Sequence, residues 1–196
     1  MFAILIISSP AYNVIKKRRE LSPKELPIYC VKTEKPQVAL SFDAAWGNKD
    51  TGKILAILKE NDVKATFFMT GGWVSQYPDD VKAIYESGND LGNHSENHKQ
   101  MSLFRPPYGD YDNHVITTAK ECGYYSIQWS VDSLDWKNYG AIILMHNGAK
   151  YTAEALPNLI KGLKDKGFEI VLISDLIYKD NYHMEHDGCQ VSNQSN

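Results

Sequence analysis

From Val38 onward, two patterns of hydrophobic residues alternate along the chain. Short continuous apolar runs are typical of buried strands, and apolar residues spaced three and four apart are typical of amphipathic helices. The runs predict strands in "QVALSF", "KATFFMTG", "DLGNH", "YYSIQWSVD", "AIILMHN" and "FEIVLIS". The spacing predicts helices in "DTGKILAILKEND", "YPDDVKAIYESGN", "YDNHVITTAKECG", "TAEALPNLIKGLKDKG" and "DLIYK". This alternation predicts one α/β domain with a parallel sheet covered by helices, either open or closed into a barrel.

The predicted domain covers residues 28–180. Residues 1–27 form a separate N-terminal segment, with a short apolar run in "MFAILIISSPAY" followed by a polar, proline-containing linker. This run is too short for a membrane helix and has no preceding basic residues, as a signal peptide would. It is therefore either the remnant of a signal or anchor or a first strand. Residues 181–196 are expected to be a loose polar tail.

Composition and charge narrow the class of protein. The chain has 196 residues, of which 43% are hydrophobic, which is enough for a sizeable core. A formal net charge of −3 argues against a nucleic-acid partner. Three widely spaced cysteines, Cys30, Cys122 and Cys189, indicate neither a disulfide framework nor a CxxC metal site.

Polar side chains follow the predicted strands at the points where those strands end. In parallel α/β folds the carboxyl ends of the strands share one edge, and chemistry concentrates there. We therefore expect these side chains to meet at one rim. They are Asp43, His94, His98, Arg105, Tyr108, Asp132, Asp135 and His146.

Each of these residues has an ordinary interpretation as well as a functional one. His94 and His98 lie four residues apart, so on a helical turn both rings could hold one metal ion, but such a pair is often merely solvated. Asp43 follows an apolar run, and a buried carboxylate needs a partner, for which Arg105 is suitable. His146 is either a core histidine or, if oriented by an acid such as Asp132, a general acid or base. Trp46 and Trp136 are either packing residues or a wall for a sugar ring.

Five segments, taken in order, resemble the signature motifs of the polysaccharide deacetylases, the NodB-homology domains of carbohydrate esterase family 4. They are "SFDAAW", "HSENH", "RPPYG", "DSLDW" and "LMH". The phrase "SFDAAWGN" resembles the branch found in spore-forming Gram-positive bacteria. The resemblance extends from about Val38 to Leu176. It implies a distorted (β/α) barrel that removes N-acetyl groups from the amino sugars of a polysaccharide such as peptidoglycan or chitin.

The resemblance also implies a role for each matched residue. Asp43 matches the catalytic base and His146 the general acid, with Arg105 holding the base and Asp132 tuning the acid. The backbone N–H of Tyr108 matches a donor to the oxyanion. Trp136 and Leu144 match the wall around the acetyl methyl group. His94 and His98 match two of three ligands to a divalent metal, by expectation zinc.

Ala44 departs from the family motif, which has an aspartate there as the third metal ligand. Alanine has no ligating atom, and catalytic zinc sites usually have three protein ligands, so metal affinity should fall. Three alternatives follow. Asn48 or Asp50 replaces the ligand, Asp43 itself contacts the metal, or the protein holds no metal and is weak or inactive.

Two connections are short for a parallel sheet. His98 and Arg105, and likewise Trp136 and Ala141, are separated by fewer residues than the dozen or more that a crossover between parallel strands requires. Either the chain lacks two crossover helices or the sequence is interrupted between Ser102 and Leu103 and between Trp136 and Ala141.

The functional hypotheses come from three classes. The first is a hydrolase of cell-wall N-acetyl sugars, and the second is an inactive carbohydrate-binding relative. The third is a structural envelope protein that only keeps the fold. Under the first hypothesis the binding partner is a polysaccharide substrate. The N-terminal segment could in addition anchor the protein to a membrane. The protein would then be a monomer that acts outside the cytoplasm, secreted or associated with the cell wall or spore envelope.

Overall fold

The sheet is organised around one buried strand, Gln37–Ala44 (β2). In the computed structural model, which describes residues 25–94, 102–130 and 139–193, every residue of this strand after Gln37 is buried. Side chains alternate between the two faces of a strand. Val38, Leu40 and Phe42 therefore pack on one face, and Ser41 and Asp43 point to the other.

The described residues form ten strands, of which β2 is one, and six helices. The strands are Cys30–Lys32 (β1), Gln37–Ala44 (β2), Thr66–Met69 (β3), Asp90–Asn93 (β4), Leu103–Phe104 (β5), Tyr125–Ser126 (β6), Ala141–Asn147 (β7), Glu169–Val171 (β8), Tyr182–Met184 (β9) and Cys189–Ser192 (β10). The helices are Thr51–Glu60 (α1), Gly71–Gln76 (α2), Pro78–Glu86 (α3), Asn113–Glu121 (α4), Thr152–Asp165 (α5) and Ile173–Leu176 (α6), with a 3₁₀ turn at Pro107–Gly109.

The strand order is β6-β5-β4-β3-β2-β7-β1-β10-β9. β7 pairs in parallel along β2, while the other edge of β2 is shared between β8, near Gln37, and β3, near Ala44. The far end of the sheet curls back, because Ile127 bridges Ile28 and the Ser130 amide donates to the Ile142 carbonyl of β7. The result is a distorted (β/α) barrel.

Two hydrophobic clusters lie on opposite faces of β2. The outer cluster packs β2 and β3 against α1 and α5, and includes Phe42, Ile54 and Leu156. The inner cluster fills the curled side of the sheet and includes Phe68 and Ile142. Burial of both faces explains why the strands are continuous apolar runs rather than alternating ones.

The helices and strands predicted from hydrophobic periodicity are present, with some differences. Helix α2 and strand β1 were not predicted, because both are short and have no repeating pattern. The sheet is mixed rather than purely parallel, since β1 is antiparallel to β7 and β9 is antiparallel to β10. β4 and β5 pair in parallel although only residues 94–102 separate them.

The expectation of a loose polar tail after residue 180 is wrong for 182–192. β9 and β10 lie there, and β10 pairs in parallel with β1. The lack of a disulfide framework is also corrected, because Cys30 and Cys189 form a disulfide across β1 and β10, 159 residues apart in sequence. In the chain-entropy account, closing so long a loop stabilises the fold by up to about 5 kcal/mol.

The N-terminal segment can be examined only from residue 25 onward. Its apolar run and basic stretch lie outside the described residues, so the choice among signal, anchor and strand stays a prediction. None of the helices in ranges 25–94, 102–130 and 139–193 combines the length and the apolar character needed to cross a bilayer.

Candidate active site

Asp43 and His146 lie side by side at the carboxyl ends of neighbouring strands. β2 and β7 run in parallel with Asp43 directly opposite His146 in the register, so both side chains leave the sheet on the same face. Both line one pocket with a volume of about 560 Å³. Asp43 is buried and His146 is half-buried. The sequence prediction that a lone acid and a later histidine would share a pocket is therefore met by the geometry.

Arg105 is fully buried behind Asp43 and fixes its carboxylate. The Arg105 Nη1 group donates to Asp43 Oδ1 at 2.6 Å. Its Nη2 group donates to the Ser41 hydroxyl at 3.0 Å and to the Gln128 carbonyl at 3.3 Å. Its guanidinium also lies 4.0 Å from the centre of the Phe68 ring. Because one carboxylate oxygen is held from behind, the other is left to face the pocket.

Burial sets the electrostatics of this ion pair. Desolvation lowers the pKa of Arg105 below its ordinary value, while the charge of Asp43 and the hydrogen bond to it act in the opposite direction. Arginine nevertheless stays cationic at neutral pH. A permanent positive charge therefore lies against Oδ1 of the Asp43 carboxylate.

His94 presents one ring nitrogen to the same carboxylate. Its Nδ1 lies 2.9 Å from the Arg105 carbonyl oxygen, and since a carbonyl only accepts, Nδ1 is the donor. Nε2 lies 3.6 Å from Asp43 Oδ2. Fixing one ring nitrogen through a backbone carbonyl and directing the other into a site is typical of metal-binding histidines.

A strained turn closes another side of the pocket. Tyr108 and Gly109 both have positive φ, at 58° and 68°, after two consecutive prolines. Positive φ is rare for a residue with a side chain, so the surroundings must hold this turn. Tyr108 lines the pocket and is 92% exposed, so the turn lies at the mouth of the pocket rather than in its buried floor.

Apolar side chains form the remaining walls. Leu144 is buried and lines the pocket together with Trp46 and Trp129. Trp46 is 65% exposed at the rim, which suits an aromatic platform for a sugar ring better than a packing role. Asp132, Trp136 and His98, three of the residues predicted for this site, lie outside the described residues.

Ala44 does not face the pocket. It is fully buried within the outer hydrophobic cluster, while its neighbours Asp43 and Ala45 line the pocket. The substitutes considered for it are also directed elsewhere. Asn48 donates to Asp80, and Asp50 accepts from the Gly148 amide, so neither is part of the pocket lining. This geometry therefore does not bring Asn48 or Asp50 into the pocket as a direct replacement for the ligand.

Comparison with known proteins identifies the family of this chain. The polysaccharide deacetylase family model matches residues 31–103. The peptidoglycan-N-acetylmuramic acid deacetylase PdaA of Bacillus subtilis is 30% identical over 84% of this chain and 80% of its own length. The chain belongs to the polysaccharide deacetylase family. The uncharacterised protein YlxY of Bacillus subtilis is 33% identical over 77% of this chain, which spans 60% of that relative.

Solved structures of polysaccharide deacetylases confirm the expected barrel. A family 4 carbohydrate esterase from Bacillus anthracis has a TM-score of 0.70 and 31% identity, covering 87% of this chain and 93% of its own. A pseudoenzyme of the same family, also from Bacillus anthracis, has a TM-score of 0.69 and 31% identity over 76% of this chain and 68% of its own. The family thus includes both esterases and a catalytically inactive member.

The match to the deacetylase PdaA also bears on the short connections. That match extends over 210 residues, more than the 196 of this chain, although it covers only 84% of the chain. PdaA therefore has residues within the matched span that this chain lacks. The two connections predicted to be short overlap segments 95–101 and 131–138, which are not described, so their structure stays a prediction.

The donors expected of a deacetylase metal centre are partly in place. His94 Nε2 and Asp43 Oδ2 are of the right chemical kind, and their separation of 3.6 Å is compatible with two ligands of one ion. Within the described ranges no group of three or more histidine, cysteine, aspartate or glutamate side chains could hold a metal. His98, the other histidine predicted as a ligand, lies outside the described residues.

Sequence reasoning missed three residues that support this site. Ser41 accepts from Arg105 and donates to the Ile143 carbonyl at 2.9 Å, Gln128 contacts Arg105 through its carbonyl, and Trp129 lines the pocket. Ser41 could have been found, because it lies two residues before Asp43 and therefore on the same face of β2. The others lie beyond the end of β6, where their positions depend on tertiary structure.

Proposed function

We propose that this protein is a polysaccharide N-deacetylase that hydrolyses the acetamido group of an amino sugar in peptidoglycan or a chitin-like glycan. The observation that carries the proposal is the buried Arg105–Asp43 pair directly beside His146 at one pocket. A carbohydrate-binding module has no need for an acid and a base facing each other. Burying the Arg105–Asp43 ion pair behind such a site is also unfavourable in itself, because both charged groups must be desolvated.

Asp43 is proposed to act as general base. Its Oδ1 is held by Arg105, so Oδ2 faces the pocket and can accept a proton from an attacking water. The water oxygen then bonds to the acetyl carbon, and the carbonyl oxygen becomes an oxyanion. The backbone N–H of Tyr108 is proposed to stabilise that oxyanion, as donors at such positions do.

His146 is proposed to act as general acid. An amine is a poor leaving group unless it is protonated, so the C–N bond breaks only when a proton reaches the nitrogen. His146 approaches the pocket from β7, beside Asp43 on β2, and is placed to deliver that proton. The products are acetate and a free amine on the sugar. Asp132 is proposed to orient the His146 ring, and Leu144 and Trp136 to enclose the acetyl methyl group.

A divalent metal, zinc by expectation, would be held by His94 and His98, beside Asp43, whose Oδ2 remains the proton acceptor for the attacking water. When bound, such an ion polarises the acetyl carbonyl and lowers the pKa of bound water. The roles of Asp43, Arg105 and His146 stated above belong to the chain itself and follow from their own positions.

The proposed location is outside the cytoplasm, on the cell wall or spore envelope. Two observations support it. PdaA, a similar protein, is named for peptidoglycan, which lies outside the membrane. The Cys30–Cys189 disulfide is of the kind that persists in oxidising compartments and is rare in the cytosol.

Acetate release tests the proposal. The purified chain is incubated with N-acetylated peptidoglycan and, separately, with chitooligosaccharides, and both acetate and new free amines are quantified. We expect multiple turnovers on at least one glycan, with equal amounts of acetate and amine. No release from either substrate, in protein shown to be folded and loaded with metal, would contradict the proposal.

Metal content is measured on the same preparation by elemental mass spectrometry, before and after treatment with a chelator. We expect release to fall on chelation and to return with added Zn²⁺ or Co²⁺. If the chelated protein releases acetate at the rate of the untreated protein, the proposed role of the metal is wrong, while the proposed roles of the acid and the base are unaffected.

A second candidate function is that of an inactive carbohydrate-binding relative. Two observations favour it. Ala44 supplies no ligand, and a solved structure 31% identical to this chain is a pseudoenzyme. This candidate predicts that the chain binds N-acetylated glycan without releasing acetate, so the assay above separates the two.

A further inference from the structure

Gln128 connects the two halves of the candidate active site. It is 2% exposed and lies beyond the end of β6. Its side-chain Nε2 donates to the Gly109 carbonyl at 3.0 Å, and its backbone carbonyl accepts from Arg105 Nη2 at 3.3 Å. One residue therefore touches both the turn that contains Tyr108 and the arginine that holds Asp43.

The turn at Tyr108 and Gly109 needs an external support of this kind. Two successive positive φ angles are unfavourable for the tyrosine, and the side chain of Tyr108 is too exposed to anchor it. The Trp129 ring also packs so closely that a Cβ on Gly109 would lie 2.9 Å from it. The Gln128 amide and the Trp129 ring thus both contact the turn at Gly109.

Packing alone does not account for a glutamine at this position. Burying an amide is unfavourable unless its hydrogen bonds are made, and Gln128 Oε1 is buried without a partner among the described residues. A methionine would fill similar volume without this cost. Among the described residues, the one side-chain hydrogen bond of Gln128 is the bond to Gly109, which indicates that holding the turn is what the amide contributes.

We infer that Gln128 is a positioning residue, which holds the Tyr108 backbone in register with the Arg105–Asp43 pair so that oxyanion donor and base act on the same acetyl group. The effect of Gln128 on catalysis rests on the proposed function. Its effect on the order of the turn follows from the geometry alone and can be tested without measuring turnover.

The test compares Gln128→Met with Gln190→Met. Gln190 is a matched control, because it is also fully buried and its side chain bonds only to backbone, donating to the Tyr178 carbonyl and accepting from the Tyr178 amide, both at 2.9 Å. Hydrogen exchange over residues 102–111 is followed by mass spectrometry. We expect faster exchange there in Gln128→Met and wild-type exchange there in Gln190→Met.

Kinetics of acetate release on the same variants give the second readout. We expect Gln128→Met to lower kcat about 10-fold with KM changed less than about twofold, a smaller loss than the roughly 10²–10³-fold seen when an oxyanion donor itself is removed. Gln190→Met should keep both constants per folded molecule.

Unchanged exchange at the turn, or a loss of kcat that only follows the folded fraction in both variants, would overturn the inference. If wild-type protein releases no acetate, the proposed function fails by that result. The exchange measurement then still decides whether Gln128 orders the turn.

Discussion

Replacing His146 with glutamine is expected to lower the rate of acetate release by about 10²–10⁴-fold, the range associated with loss of a general acid or base. The reason is that no other described side chain lies beside Asp43 in the β2–β7 register and could protonate the leaving nitrogen. KM should change little, since the imidazole is proposed to act on the transition state rather than on the bound sugar.

A substrate that needs no proton on its leaving group separates general acid catalysis from a structural role. 4-Nitrophenyl acetate releases a stable phenolate, so His146→Gln should lose far less activity on this ester than on an N-acetylated glycan. His114→Gln is the matched control, because His114 is exposed on α4. Equal losses on ester and amide would show that His146 does not act as the acid.

Replacing Arg105 with methionine is expected to lower the free energy of unfolding by about 3–5 kcal/mol, because it leaves a buried carboxylate without its partner. Arg105 is fully buried and Asp43 is 5% exposed, so little water can reach the carboxylate oxygen that Arg105 holds. Urea denaturation of the two proteins measures this difference directly. Acetate release per folded molecule should fall as well, because Asp43 is no longer held towards the pocket.

The double variant Asp43→Asn with Arg105→Met sharpens this prediction. Since it removes both charges, it should be more stable than Arg105→Met alone, and the coupling energy follows from the double-mutant cycle. Lys82→Met is the control, as it breaks an exposed i,i+4 pair with Glu86 and should change stability by no more than about 0.5 kcal/mol. Additive effects of the two buried substitutions would contradict the proposed dependence of Asp43 on Arg105.

The strands and the main site residues could be predicted from sequence because their signals are local. An apolar run followed at once by Asp43, and another followed by His146, place both at strand ends without knowledge of the fold. Parallel packing of such strands then brings their carboxyl ends together. Arg105 was predicted as partner of Asp43 by chemistry, since a buried carboxylate requires a cation.

The remaining features depend on contacts that no local pattern encodes. Cys30 and Cys189 become neighbours only because β1 and β10 pair across 159 residues of sequence. The polarity of 181–196 suggested solvent exposure, yet one face of β10 packs against the barrel and buries Gln190. The role of Gln128 depends on a turn with two positive φ angles, which the residues "RPPYG" favour but do not fix.

The face of the sheet that Ala44 occupies also required the structure. The motif comparison treats Ala44 as a lost ligand beside Asp43, but alternation along β2 directs it into the outer cluster. An alanine there packs in the core. The replacement of the motif's aspartate by Ala44 therefore affects core packing as well as the number of metal ligands.

The most direct test of the account is acetate release by wild type and by Asp43→Asn from the same N-acetylated glycan, each corrected for its folded fraction by circular dichroism. If one carboxylate activates the attacking water, wild type should turn over repeatedly. The variant should be slower by at least about 100-fold while still binding the glycan. Equal rates of release from the two folded proteins would contradict the hydrolytic site.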